Sequence, residues 1–193
     1  MAFSVNNEYV YALIVLLSSI LYNSSINTFF IFYLLISPDV TKLNIKKILD
    51  LSKKYKNYRM KLIHMREYFS NYKFGHYKTA AVYYRLALSS LITDVDKIIY
   101  LDIDTLVHKD LFRLYNINMG KYYYMGAPGV DLVRINFNGT RNFINSGVLL
   151  INLKKLREIH STKLFEEYYL KYGTKKVDEY IIHYFRIKYH FYL

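Results

Sequence analysis

The run Phe29-Phe30-Ile31-Phe32-Tyr33-Leu34-Leu35-Ile36 constrains the fold more than any other stretch. It is too short to cross a membrane and too continuous for a strand with one wet face. The strand is read over residues 27–37, NTFFIFYLLIS, and Pro38 and Asp39 then turn the chain. A strand of this kind fits a parallel sheet covered on both faces. Other strand expectations are residues 1–5, residues 59–65, a strand ending at Asp102, residues 122–128 and residues 143–153. Apolar residues at helical spacing lie between them. They predict helices over Val10 to Tyr22, in the basic stretch after Asp39, over 78–92 and over 154–173, the last capped by Gly173. A further helix is expected from Val177, with Asp178 and Glu179 in its first turn. Strands alternating with helices argue for an α/β fold, and 193 residues make one domain, 1–193, the default.

Cysteine is absent, which excludes a disulfide framework and a thiolate metal site and is compatible with a reducing cytoplasm. The net charge of +12 favours anionic partners. Abundant Lys, Asn, Ile and Tyr without Trp read as codon bias, which weakens that inference. Lys42, Lys46, Lys47, Lys53, Lys54 and Lys56 interleave with Ile45, Ile48, Leu49 and Leu51, as on a solvated amphipathic helix. No nucleic-acid motif accompanies them, so no nucleic-acid partner is expected. The apolar run at residues 10–21 follows Glu8 rather than Lys or Arg, against a signal peptide. The sequons at Asn23 and Asn138 mean little without one.

The chemistry lies at the end of Ile98-Ile99-Tyr100-Leu101, in Asp102-Ile103-Asp104. Residues i and i+2 of a strand share a face, so the two carboxylates would stand together while Ile103 points into the core. Paired carboxylates repel unless a cation lies between them, and a hard ion such as Mn²⁺ or Mg²⁺ takes oxygen ligands. In open α/β sheets ligands gather at the carboxyl ends of strands. The bland alternative is that Asp simply terminates a strand. Asp94 and Asp96 have the same spacing at the strand's start and read as solvent-facing turn residues.

Residues 83–115, YYRLALSSLITDVDKIIYLDIDTLVHKDLFRLY, resemble the central block of the family 8 glycosyltransferases. These are retaining nucleotide-sugar enzymes that include glycogenin and lipopolysaccharide galactosyl- and glucosyltransferases. FSVNNEYV at the start, FINSGVLLINLKKLRE later and, more loosely, VDEYIIHYF match in the family's order. The resemblance implies a GT-A-type, Rossmann-like α/β fold with a mixed sheet flanked by helices. It implies a hexosyltransferase that moves a hexosyl group from a UDP-sugar to an acceptor hydroxyl with retention.

Residue by residue, the resemblance puts Mn²⁺ (or Mg²⁺) on Asp102 and Asp104 and a donor site on Asn6, Glu8, Tyr9, Arg85, Asp102, Ile103, Asp104, Asn145 and Ser146. Asp178 and Glu179 would act at the donor sugar, Glu179 replacing the commoner glutamine and so offering a carboxylate nucleophile. Asp131 falls near a sugar-contacting position. The family continues beyond this point with a His-x-x-Gly-x-x-Lys segment that supplies a third metal ligand and a diphosphate-binding lysine. The chain is therefore expected to lack the family's C-terminal part. The implied partners are a UDP-sugar and a saccharide or glycolipid acceptor, with peripheral contact at the inner face of a membrane suiting a basic cytoplasmic protein.

From the residues alone, other readings stay open. Arg85 reads as an ordinary surface arginine on a helix, Asn145-Ser146-Gly147 as a turn or bulge, and Asp178-Glu179 as a charged helix start. A non-catalytic nucleotide-sugar-binding remnant is one alternative function. An aspartate-based phosphohydrolase is another, although Thr105 follows Asp104 one residue too early for that motif.

Overall fold

The computed structural model describes residues 1–66, 68–69, 79–128, 144–172 and 182. The backbone forms two compact units, one of 1–85 with 100–117 and one of 86–99 with 118–193.

The first unit is a parallel sheet. Its strands β1 (Ala2–Val5), β2 (Phe30–Ile36) and β3 (Tyr58–His64) are joined by helix α1 (Val10–Tyr22) and helix α2 (Lys42–Leu49), the latter extended by a 3₁₀ turn, Asp50–Lys53. Ala2 pairs with Tyr33 through Val5 with Ile36, and Phe30 pairs with Tyr58 through Ile36 with His64. On its other side β1 meets β4 (Lys97–Leu101), Ala2 opposite Tyr100. The order is thus β3-β2-β1-β4, all parallel. In β2, six of seven side chains are buried, as its continuous apolar run requires. Phe32 meets Phe3 edge-on at 5.6 Å. Helix α1 buries Val10, Leu13, Leu16, Leu17, Ile20 and Leu21, a single face at i, i+3, i+4 spacing. Thr41 caps α2, its hydroxyl accepting from the Asn44 N–H at 3.2 Å. The lysine-rich side of α2 faces solvent, as expected, with Ile48 inside.

The second unit contains the antiparallel pair β5 (Tyr124–Pro128) and β6 (Ile144–Asn152). Parallel and antiparallel strands together make the fold a mixed α/β one. Gly126 is required in β5, because a Cβ there would lie 2.8 Å from the Val148 carbonyl oxygen. Helices α3 (Leu88–Leu91), α5 (Leu153–Glu158) and α6 (Ser161–Tyr172) pack together, while α4 (Phe112–Tyr115) belongs to the first unit.

Two helix expectations need correction. The single helix over 154–173 is two helices, broken where His160 adopts φ 49°. Ser161, 1% exposed, shares a hydrogen bond of 2.9 Å with Ser89 and opens a new helix. Gly173 and the helix expected from Val177, apart from Ile182, lie outside the described residues. The α-helix expected over 78–92 is instead a 3₁₀ turn, Ala80–Ala87, followed by α3. Tyr83 and Tyr84 are both buried, with ring centroids 6.4 and 6.3 Å from Phe69. Three residues per turn stack Ala81, Tyr84 and Ala87 in one inward row and Tyr83 with Leu86 in another. Burial of two adjacent tyrosines outweighs helix propensity here.

Candidate functional site

In the first unit the chain goes from β1 toward β2 and β3 on one side, while β4 lies on the other. The carboxyl ends of β1 and β4 therefore flank a topological switch point, the usual place for a ligand in an open α/β sheet. A cavity of about 450 Å³ lies there. Strand alternation selects its floor. Ser4 on β1 and Asn6 just past it have the same parity, as do Tyr100 on β4 and Asp102 just past it, and all four line the cavity. Among the described residues the remaining lining comes from Glu8, Tyr9, Thr79, Ala81, Val82, Arg85, Ile103 and Asp104.

The β1–α1 loop is fixed from two sides. The Asn6 side-chain carbonyl accepts from the Tyr9 N–H at 3.3 Å at the start of α1. The Asn7 N–H donates to Asp39 at 3.0 Å, and the Asn7 side-chain carbonyl accepts from Thr41 N–H (3.1 Å) and Asn44 Nδ2 (2.8 Å). These bonds tie the loop after β1 to the loop after β2, leaving Glu8 and Tyr9 exposed at the cavity.

Beyond Leu101 the chain does not stay extended. The Thr105 N–H and hydroxyl donate to the Asp102 carbonyl oxygen at 3.3 and 2.7 Å, closing a turn. Ile103, expected in the core, is therefore half-exposed at the cavity wall beside Asp102 and Asp104. The Thr105 hydroxyl serves the backbone of the turn, an arrangement that offers nothing to the phosphohydrolase alternative.

Arg85 is not a surface arginine. It is 6% exposed, and its Nη2 donates to Asp102 Oδ1 at 2.7 Å. Its Nε donates to the Val82 carbonyl at 3.0 Å, a reach the tight 3₁₀ turn permits, and its guanidinium stacks 4.6 Å from the Tyr100 ring centre. The Tyr100 hydroxyl lies 3.0 Å from Asp102 Oδ1 and 3.3 Å from Ser4 Oγ. Burial pushes the Tyr100 phenol well above its usual range, with Arg85 pulling down and Asp102 pushing up, so the hydroxyl stays protonated and remains a donor. Ser4 and Tyr100 were missed from sequence. The available signal was parity with Asn6 and Asp102 in otherwise apolar strands.

In the second unit Asn145 and Ser146 lie within β6 rather than in a turn before it. The Asn145 side-chain carbonyl accepts from the Gly147 N–H at 2.7 Å, and Ser146 is buried. Asp131, Asp178 and Glu179 lie outside the described residues. Among the described residues no three or more His, Asp or Glu side chains converge as a ready-made metal cage, and no helix is long and apolar enough to cross a membrane.

A parallel sheet with a polar crevice at its switch point, joined in one chain to an antiparallel pair, defines a GT-A-type α/β fold. The chain belongs to glycosyl transferase family 8, whose model matches residues 1–184. It is 30% identical over 154 residues to glycosyltransferase GlyF of Streptococcus pneumoniae serotype 4, covering 79% of this chain and 36% of that one. It is 29% identical over 91 residues to general stress protein A of Bacillus subtilis, covering 44% and 32%. The chain thus spans about a third of the length of these relatives. Among solved structures, galactosyltransferase LgtC in complex with donor and acceptor sugar analogues superposes with a TM-score of 0.79 at 26% identity, covering 94% of this chain and 68% of LgtC.

Proposed function

We propose that the chain is the donor-binding part of a glycosyltransferase that takes a hexosyl group from a UDP-sugar and passes it to a saccharide or glycolipid hydroxyl with retention. The observation that carries this reading is the cavity wall. Among the described residues, Asp102, Asp104, Glu8 and one guanidinium, Arg85, line a cavity of about 450 Å³ at the β1/β4 switch point. The volume suits a small ligand. Three carboxylates against one cation suit a divalent ion accompanied by an anion better than an anion alone. The donor set of Asp102 and Asp104 is all oxygen, which fits Mn²⁺ or Mg²⁺, with diphosphate oxygens completing the shell. When bound, such an ion offsets negative charge on a departing diphosphate. The chain's own contribution is positional. Arg85 and the Tyr100 hydroxyl fix the Asp102 carboxylate, while Asn6, Glu8 and Tyr9 line the side where a base and ribose would rest. Asn145, Ser146, Asp178 and Glu179 are proposed to act on the sugar.

Calorimetric titration of UDP with Mn²⁺ and with EDTA tests the reading. Binding that needs both Mn²⁺ and Asp102, and is lost in Asp102→Ala, is the expected result. UDP binding indifferent to Asp102, or none in folded protein, would sink it.

A further inference from the structure

We propose that the outer face of helix α1 seats this chain on an anionic lipid bilayer, its tyrosine rings entering the headgroup layer and a lysine rim meeting the lipid phosphates. The proposal goes beyond the reading of the cavity and does not depend on it.

Helix α1, VYALIVLLSSILY, carries no charged residue. A helix laid over a sheet turns one face to water and ordinarily fills it with charged and polar side chains. Here Tyr11, Val15, Ser18 and Tyr22 recur at i, i+4, i+7 and i+11, which puts them within about 60° of one another on a single face. The buried face of Leu13, Leu16, Leu17 and Ile20 lies opposite. Tyr11 is 62% exposed, Val15 55% and Tyr22 77%. At a rise of 1.5 Å per residue the strip is about 17 Å long. At its far end Ser18 and Tyr22 border a cleft with Tyr55, Leu106 and His108, and Leu106 is also exposed. A helix apolar all round is one that something covers, and a contiguous exposed apolar patch marks a contact surface.

The rim indicates what covers it. Lys47 Nζ donates to the Tyr11 hydroxyl at 2.6 Å and lies 4.7 Å from its ring centre. Lys54 Nζ lies 5.2 Å from the Tyr55 ring centre. Residues 42–56, which carry both lysines, add exposed Lys42, Lys46, Lys53 and Lys56 and hold one carboxylate, Asp50, itself 2.8 Å from Lys53. Near the two ends of α1, Asp39 accepts from the Asn7 N–H and Asp110 from the Ser25 N–H, while Glu8 lines the cavity. Total charge says little in a lysine-rich chain, but this placement sets cations beside exposed tyrosines on a helix without a carboxylate. Tyrosine, apolar in its ring and polar at its tip, suits the membrane–water boundary, and lysine lays its stem along apolar surface while its ammonium reaches phosphate. A second copy of the chain fits worse, because a two-fold contact through the strip would set these lysines against the same lysines.

The test is flotation of the 193-residue chain with vesicles of phosphatidylcholine alone and of phosphatidylcholine with about 30% phosphatidylglycerol. Wild type is expected to bind the anionic vesicles at least about tenfold tighter and to lose that margin in about 1 M NaCl. Tyr11→Ser with Tyr22→Ser, and Lys47→Gln with Lys54→Gln, are each expected to weaken binding to anionic vesicles about tenfold. Val15→Ser is expected to weaken it about threefold, and decides the matter where circular dichroism shows the tyrosine pair unfolded. Leu170→Ser, at an equally exposed apolar residue on α6, is expected to change binding by less than about twofold. Wild type that floats with neither vesicle overturns the proposal, as does equal loss in Leu170→Ser or no loss in the strip variants. A dimer in analytical ultracentrifugation that the tyrosine variant abolishes, without flotation, assigns the strip to a second copy and overturns it too.

Discussion

Strand β4 has an Asp-x-Asp pair at each end, Asp94 and Asp96 before it, Asp102 and Asp104 after it. One member of each meets an arginine at the same distance. Asp96 Oδ1 lies 2.7 Å from Arg157 Nη2, and Asp102 Oδ1 lies 2.7 Å from Arg85 Nη2. The surroundings differ. The side chains of Asp96 and Arg157 are 70% and 26% exposed, and Arg157 also donates to the carbonyls of Ile92 and Val95. That pair ties down the turn entering a strand. The side chains of Asp102 and Arg85 are 34% and 5% exposed and open on a cavity. Spacing and ion-pair length are the same, so neither distinguishes a turn brace from a binding site. What distinguishes them is the end of a parallel strand they occupy and whether the cation is buried.

Four measurements would break or sharpen this contrast. The largest effect is expected from removing the cations. Arg85→Ala should cost about 3 kcal/mol in denaturant unfolding, because it leaves a carboxylate without its buried partner. Arg157→Ala should cost about 1 kcal/mol for its exposed pair and two carbonyl bonds. Equal costs would end the distinction. Next, Asp102→Ala should weaken Mn²⁺-dependent UDP binding by about 100-fold, and Asp96→Ala should change it by less than about twofold in calorimetry. Third, Tyr100→Phe should lose about 1 kcal/mol of stability near pH 7. Because burial raises the folded pKa of Tyr100, its neutral form favours folding below about pH 10, and that contribution is lost as pH rises further. Tyr100→Phe should remove that part of the alkaline fall in Tm. The smallest effect is expected from salt. In about 1 M NaCl, with a Debye length of about 3 Å, the cost of Asp96→Asn should vanish while that of Asp102→Asn persists.

Much of this was legible in the chain. The strand at Phe30–Ile36 and the helix at Val10–Tyr22 follow from apolar runs and helical spacing; the helix forms with its expected bounds, the strand within the expected 27–37. Asp102 and Asp104 were legible as a carboxylate pair closing an apolar strand, and both line the cavity. The resemblance placed Arg85 in the donor site, whereas the residues alone read it as a solvated arginine, and its burial follows only from the 3₁₀ turn that points Nε at Val82. Ile103 was misread because alternation was carried past Leu101, where the Thr105 bonds to Asp102 turn the chain. The break at His160 had a local sign in Ser161-Thr162, outweighed by an apolar pattern that continues across it.

The sequence by itself determined the alternation of strands and helices, the family, and the carboxylates at the end of β4, because burial periodicity and motif order are local properties of the chain. The resemblance grouped Asn6, Arg85 and Asp102, and only the tertiary structure added Ser4 and Tyr100 and put all five around one cavity. They are brought together by the parallel pairing of β1 with β4 and by a tightened turn around two buried tyrosines. Those are long-range packing outcomes, set by which surfaces leave water together, and no window of sequence contains them.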